Sequence, residues 1–138
     1  MNEINLILPV STCRANLAAI QSSLEEVVPN EPNKLMERLS ELSSLLGTSA
    51  QVLSSYQFHV DTLRFEAVKS AKDNGYSGLM AKDYCEGYCA ELRGELKLAE
   101  RQNAALVHCI DAGRSLLSYQ KADNFNTNLQ KWARKFCP

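Results

Sequence analysis

The amino-acid sequence predicts an all-α protein built on a long antiparallel helical hairpin, or coiled coil. Apolar residues recur at alternating steps of four and three over residues 35–70 and again over 85–117. This spacing is typical of helices that pack along one face. The turn motif KDNGYSG, residues 72–78, separates the two stretches. The chain has 138 residues, 45% of them apolar, and a net charge of −1, which together indicate a single globular domain.

The first predicted helix covers residues 11–28 and is the shortest of the three main helices. Its apolar residues share one helical face: Cys13, Leu17, Ile20, Leu24 and Val27. Ser11 is the expected N-cap, because a serine side chain accepts hydrogen bonds from the first free backbone N–H groups. The motif VPNEPN ends the helix, since its two prolines do not fit a helix interior.

The second and third predicted helices, residues 33–73 and 79–121, form the two arms of the hairpin. Glycine costs ~1 kcal/mol relative to alanine inside a helix, so a break near Gly47 is the alternative to one continuous second helix. A fold about residue 76 sets Leu42 opposite Ile110 and Val60 opposite Leu92. It also sets Ser49 opposite Asn103, as a polar layer that fixes the register of the two helices.

A second apolar stripe on the third helix indicates that this helix contacts more than one partner. It consists of Leu98, Ala105, Cys109, Ala112 and Leu116. The first helix spans only ~25 Å and covers part of the hairpin. We therefore expect the protein to self-associate.

Three cysteines and one histidine lie between Tyr84 and Cys109. In one straight helix Cys85 and Cys109 are ~36 Å apart, too far to share a zinc ion. We interpret Cys85 and Cys89 as core residues; a two-cysteine site shared between chains is the alternative. His108 is expected to be exposed. No motif indicates a catalytic residue, a metal or a cofactor, so we expect a non-enzymatic protein.

The C-terminal segment FNTNLQKWARKFCP predicts a short fourth helix, residues 127–136. Its apolar residues step by four and three and are the predicted oligomerisation residues: Phe125, Leu129, Trp132 and Phe136. Lys131, Arg134 and Lys135 lie on its other surfaces. Three interpretations stay open: a helix that docks its aromatic residues on the bundle, an oligomerisation helix, and a basic, aromatic nucleic-acid surface.

The tip of the hairpin carries a second group of basic residues. They are Arg64, Lys69, Lys72 and Lys82, partly offset by Glu66, Asp73 and Asp83. This composition fits a solvated turn, and it also fits a phosphate-binding surface. We take the four basic residues, with the three of the C-terminal segment, as the candidate nucleic-acid-binding residues.

Two segments resemble phage recombination-mediator proteins of the UvsY type. They are LRFEAVKSAKDNGYSG at residues 63–78 and HCIDAGRSLLSYQKAD at 108–123, so the resemblance covers residues 50–123. It implies a helical hairpin protein that forms rings, binds single-stranded DNA, and helps load a recombinase in exchange for a single-strand binding protein. The nearest match to the family's basic element is residues 69–72, which are less basic here.

A second functional hypothesis is a helical adaptor or inhibitor that binds another protein, for example a phage-encoded antagonist of a host system. The uncovered face of the hairpin and the near-neutral charge favour it. No apolar run approaches the ~20 residues of a membrane span. We therefore expect a soluble protein of the cytoplasm, in the host cytoplasm if a phage encodes it.

Overall fold

The computed structural model describes residues 6–136, and within this range the chain is helical with no strand. The helices are α1 (Val10–Leu24), α2 (Pro32–Asp73) and α3 (Gly78–Phe136). Helices α2 and α3 pack against each other as an antiparallel hairpin, and α1 packs alongside both. The predicted all-α hairpin is confirmed. Within residues 6–136, no helix combines the length and the apolar character needed to cross a bilayer.

The seam between α2 and α3 forms the core of the protein. One cluster joins Leu42, Leu106 and Ile110 with Ile20 of α1. The second cluster lies nearer the tip and contains these residues: Cys13, Leu17, Val52, Tyr56, Val60, Leu96 and Ala99, with Leu92 packed against it. Leu42 thus shares a cluster with Ile110, and Val60 with Leu92, as the spacing predicts.

A single polar pair sits in the middle of this seam. Asn103 Nδ2 donates a hydrogen bond to Ser49 Oγ at 3.2 Å, and Ser49 is buried. A slip of either helix would leave the two polar groups without each other inside an apolar seam, which is costly. The pair therefore sets the register of the hairpin, and α2 runs through Gly47 without a break.

The turn of the hairpin is a Schellman motif at the end of α2. The Tyr76 N–H bonds the Ala71 carbonyl and the Gly75 N–H bonds the Lys72 carbonyl, both at 3.0 Å. Gly75 has a φ of 75°, a left-handed conformation that glycine adopts without strain. The motif satisfies the last carbonyls of α2 and reverses the chain.

The segment that precedes α1 is held on α2 through the backbone of Leu8. The Leu8 N–H donates to Ser55 Oγ at 2.9 Å, and His59 Nε2 donates to the Leu8 carbonyl at 2.7 Å. Across the bundle, Gln102 Nε2 of α3 donates to the Leu17 carbonyl of α1 at 2.9 Å. These bonds connect α1 and its approach to both arms of the hairpin.

The bounds of α1 differ from those predicted. The helix begins at Val10, so Ser11 lies in the first turn, and Pro9 occupies the N-cap without a side-chain bond. It ends at Leu24 instead of residue 28. Pro29 disfavours a helical conformation at the residue before it, and in a continued helix its ring would clash with the carbonyl of Glu25, four residues earlier. Val27 was predicted on the packed face, but it lies outside the helix and is 91% exposed.

The predicted fourth helix is wrong, because α3 continues without interruption to Phe136. The seam pattern stops at Leu117, which indicated a helix end near residue 121. In the structure Thr127 Oγ1 donates to the Asp123 carbonyl within the helix. We call residues 121–136 the overhang: ~24 Å of helix that extend past the start of α2.

Substitution of Gly113 tests how closely the two arms approach. A Cβ at residue 113 would lie 2.6 Å from Leu39 Cδ2, whereas one at Gly94 would meet nothing within 4 Å. We expect Gly94→Ala to stabilise the protein by ~0.5–1 kcal/mol through its helix propensity. Gly113→Ala should lose that gain or reverse it, as measured by urea unfolding. Equal gains in both variants would contradict the close approach.

Candidate nucleic-acid interface

An open groove of about 430 Å³ lies at the tip of the hairpin, between the end of α2 and the start of α3. Arg64 and Lys72 line it from α2, and Lys82 lines it from α3. These are three of the four predicted basic residues of the tip. Arg93 adds a fourth cation, while Glu86 is the one acidic residue in the lining. We call this the tip groove.

Lys69, the remaining basic residue predicted at the tip, does not line the groove. Its side chain is exposed on α2, whereas the floor of the groove is apolar and is formed by Val68, Ala71, Ala81 and Cys85. Lys69 can contribute to the potential around the tip but not to contacts inside the groove.

Tyr76 lines the tip groove and is the first of a row of three tyrosine rings that continues along α3. The Tyr76 and Tyr84 ring centroids are 5.2 Å apart, and those of Tyr84 and Tyr88 are 5.9 Å apart. Tyr84 is fixed by a hydrogen bond of 2.8 Å between its hydroxyl and Ser70 Oγ. Tyr76 and Tyr88 are partly exposed. The row was not predicted, although Tyr84 and Tyr88 are four apart in the sequence and thus share a helical face.

Cations beside stacked aromatic rings are the groups that single-stranded nucleic acids require. Lysine and arginine neutralise phosphates, and tyrosine faces stack on bases irrespective of their identity. Arg93 also lines the groove but was not among the predicted binding residues. The fold brings Arg93 to the same groove as Arg64.

The overhang presents the second set of predicted residues. Phe125, Leu129, Trp132 and Phe136 are each more than half exposed. The Trp132 and Phe136 ring centroids are 5.3 Å apart, and Lys135 Nζ lies 5.6 Å from the centroid of Phe136. The interpretation in which these aromatic residues dock on the bundle is therefore wrong. They form an apolar stripe that nothing within residues 6–136 covers.

The two basic groups lie at opposite ends of the chain. Lys82 and Lys131 are on the same continuous helix, and the 49 residues between them correspond to ~74 Å. Lys131, Arg134 and Lys135 are exposed, but in one chain they do not join the tip groove. A single-stranded nucleic acid held in the tip groove would have to span this distance to reach the overhang of the same chain.

The cysteines lie at separate points of the bundle. Cys13 and Cys89 are buried, Cys85 and Cys109 are half-buried, and all four are free thiols; Cys137 lies outside the described residues. Within residues 6–136 no three His, Cys, Asp or Glu side chains are grouped to hold a metal ion. His108 is exposed, as predicted.

A partly buried polar cluster of Cys13, Arg14, Tyr56 and Glu95 lies under α1. Burial raises the pKa of the Cys13 thiol, which keeps it protonated, whereas a nucleophilic cysteine needs a lowered pKa. Burial, together with the nearby Glu95 carboxylate, raises the pKa of Tyr56. Arg14 holds Glu95 through a bond of 2.8 Å. This arrangement stabilises the packing of α1 and gives no activated group.

Fold and site together define a helical hairpin protein with a basic groove at its tip, to which Tyr76 contributes one aromatic ring, and an exposed aromatic stripe at its other end. Comparison of the chain with protein-family models, with curated proteins and with solved structures finds no match in any of the three.

The raised pKa of Tyr56 predicts a loss of stability at alkaline pH. The folded protein keeps the phenol proton, whereas the unfolded chain releases it above a pKa of ~10. This contribution is complete below pH ~10 and is lost as the pH rises further. Tyr56→Phe should flatten that loss in urea unfolding between pH 9 and 11. Tyr119→Phe, at an exposed site, is the control, and an equal effect of both would contradict the prediction.

Removal of the overhang tests its role in self-association. We expect truncation before Phe125, and separately Trp132→Ala, to lower the solution mass measured by light scattering, because each removes exposed apolar surface. Tyr119→Ala removes an aromatic ring of α3 that is 70% exposed but lies before the stripe, and it should leave the mass unchanged. A monomeric parent protein would contradict the prediction.

Proposed function

We propose that the protein is a non-enzymatic recombination mediator of the phage type, which binds single-stranded DNA as an assembly and helps load a recombinase. The observation that supports this most is the tip groove, which four cations and the ring of Tyr76 line together. The roles of a recombinase and of a single-strand binding protein come from the resemblance to UvsY-type mediators.

The affinity of one chain for a single strand is low in this proposal. Each neutralised phosphate contributes ~0.7 to the salt slope on single strands, so four cations give a slope of ~3 at most. Assembly repeats the tip groove and raises the avidity by ~10²–10⁴ without any new contact. Single-stranded DNA held by many weak contacts can be released from one tip groove at a time, which suits a protein that transfers DNA to a recombinase.

A helical adaptor or inhibitor is the second candidate function. Phe58 and Phe65 are seven residues apart on the outer face of α2 and are 51% and 74% exposed. Leu79 and Met80, at the start of α3, are also exposed. Exposed aromatic residues of this kind are typical anchors of protein interfaces. In this case the tip would bind a protein, and its basic groove would select an acidic partner.

Fluorescence anisotropy with a labelled single-stranded oligonucleotide separates the two functions. We expect Lys72→Glu with Lys82→Glu to abolish binding at moderate salt, because both residues line the tip groove. The matched control is Lys97→Glu with Arg114→Glu, which reverses the same number of charges at exposed positions of α3. The control should bind with little change.

Tyr76→Ala tests the stacking contribution independently of charge, because Tyr76 is the tyrosine that lines the tip groove. Base stacking on an aromatic ring is worth ~1–3 kcal/mol, so this variant should bind at least about fivefold more weakly with an unchanged salt slope. Absence of binding by the parent protein at low salt would rule out the mediator proposal and leave the adaptor. Equal losses in the groove variant and in its matched control would show that binding is not at the tip.

A further inference from the structure

An apolar groove lies at the end of the hairpin opposite the tip. It has a volume of about 180 Å³ and is lined by residues of all three helices and the α1–α2 connection, among them Val28, Leu39, Cys109, Ala112 and Leu116. We call it the base groove. An apolar cavity of ~150 Å³ accommodates a benzene ring, so the base groove has room for an aromatic side chain.

The rim of the base groove is acidic. Residues 25–41 contain five glutamates and two cations. Glu26 lines the base groove and also the adjoining shallow groove that Glu37 and Glu41 line. Exposed carboxylates therefore follow the α1–α2 connection and the first turns of α2 next to the apolar lining.

Arg38 is the only buried cation in this region of the described residues, and it is already paired with groups of its own chain. Arg38 Nη1 lies 3.1 Å from Glu26 Oε2 and 3.4 Å from Glu41 Oε2. It also bonds the backbone and side chain of Ser23. Arg38 thus holds the α1–α2 connection against α2 at the base groove. The remaining negative charge of the glutamates in residues 25–41 is available to a cation from outside the chain.

The overhang has the complementary properties. It carries Lys121, Lys131, Arg134 and Lys135 against the single acid Asp123. Its stripe from Phe125 to Phe136 is exposed on a lone helix. A positive, aromatic helix and a negative, apolar groove therefore occur on the same chain, each without a covering partner in the described residues.

The overhang cannot reach the base groove of its own chain. Ala112 and Trp132 lie on the one continuous helix α3, and their separation of 20 residues corresponds to ~30 Å along its axis. The overhang points away from the groove as long as α3 is helical. Only a second copy can bring the two surfaces together.

We propose that the overhang of one chain docks on the base of a second copy, with Trp132 at the base groove and Lys131 and Lys135 beside the glutamates of residues 25–41. The inference rests on the assembly that the proposed function requires and names the contact that builds it. Because the two surfaces differ, the contact can repeat from copy to copy and close into a ring, or it can pair two copies reciprocally.

The test uses Trp132, the only tryptophan of the sequence, as its own probe. As the protein concentration rises, its emission should shift to the blue together with the rise in mass, because the indole leaves water. Ala112→Phe fills the base groove and should abolish both changes. Ala104→Phe is the matched control, since Ala104 is an exposed alanine of the same helix that does not line the groove.

Charge exchange identifies the two surfaces as partners. Reversal of Lys131 and Lys135 to Glu, or of Glu26 and Glu37 to Lys, should each lower the solution mass to that of the monomer. A mixture of the two variants should recover at least a dimer, because each supplies the surface that the other has lost. Recovery also demonstrates that the variants are folded, and circular dichroism of each variant verifies the helix content.

The inference fails if Ala112→Phe assembles as the parent does, or if the mixed charge variants stay monomeric. That failure is distinct from failure of the proposed function, because binding of single strands at low salt depends on Lys72 and Lys82 of the tip groove. Assembly lost with Trp132→Ala but kept with Ala112→Phe would assign the stripe to a different partner surface.

Discussion

The hydrogen bond between Asn103 and Ser49 is the constraint on which the rest of the structure depends. A seam with a period of seven residues would pack nearly as well after a slip of one repeat, because most of its contacts are apolar and interchangeable. The polar pair removes that freedom. With the register fixed, the close approach of Gly113 to Leu39 follows, the tip groove closes between the correct residues, and α3 extends beyond α2 by a defined length.

The two arms of the hairpin and their register could be predicted from the sequence, because apolar residues recur with the same 4-3 spacing in both helices. The 4-3 steps through Leu42 and Val60 indicate one face, and the opposite steps in α3 share its phase. Helix ends were harder. Loss of the seam pattern after Leu117 shows where the partner helix ends, but a lone helix satisfies its own backbone bonds and continues. The prediction of a break between residues 121 and 127 mistook the end of the α2–α3 seam for the end of α3.

The candidate site was predicted only in part, for a related reason. Arg64, Lys72 and Lys82 could be found because they flank the turn in the sequence. Arg93 lies three helical turns further along α3 and reaches the groove only through the antiparallel packing. Tyr84 and Tyr88 carried a spacing signal, but tyrosines that share a helix face also occur in cores, so the spacing alone does not indicate a binding surface. Which surfaces meet in an assembly depends on a second chain, so the residues of one chain do not specify it.

The continuity of α3 has a consequence for how the overhang responds to its surroundings. An isolated helix of 16 residues is marginal in water, because the first turn is costly to nucleate. Here the hairpin has already nucleated α3, so the overhang only propagates an existing helix, and it loses order from the end near Phe136 inward. Amide hydrogens there exchange with solvent by end fraying, while those near Leu106 require the seam to open. Any partner that covers Trp132 therefore also slows amide hydrogen exchange along the whole overhang. The exchange rate of these amides thus reports whether the overhang is in contact with a partner.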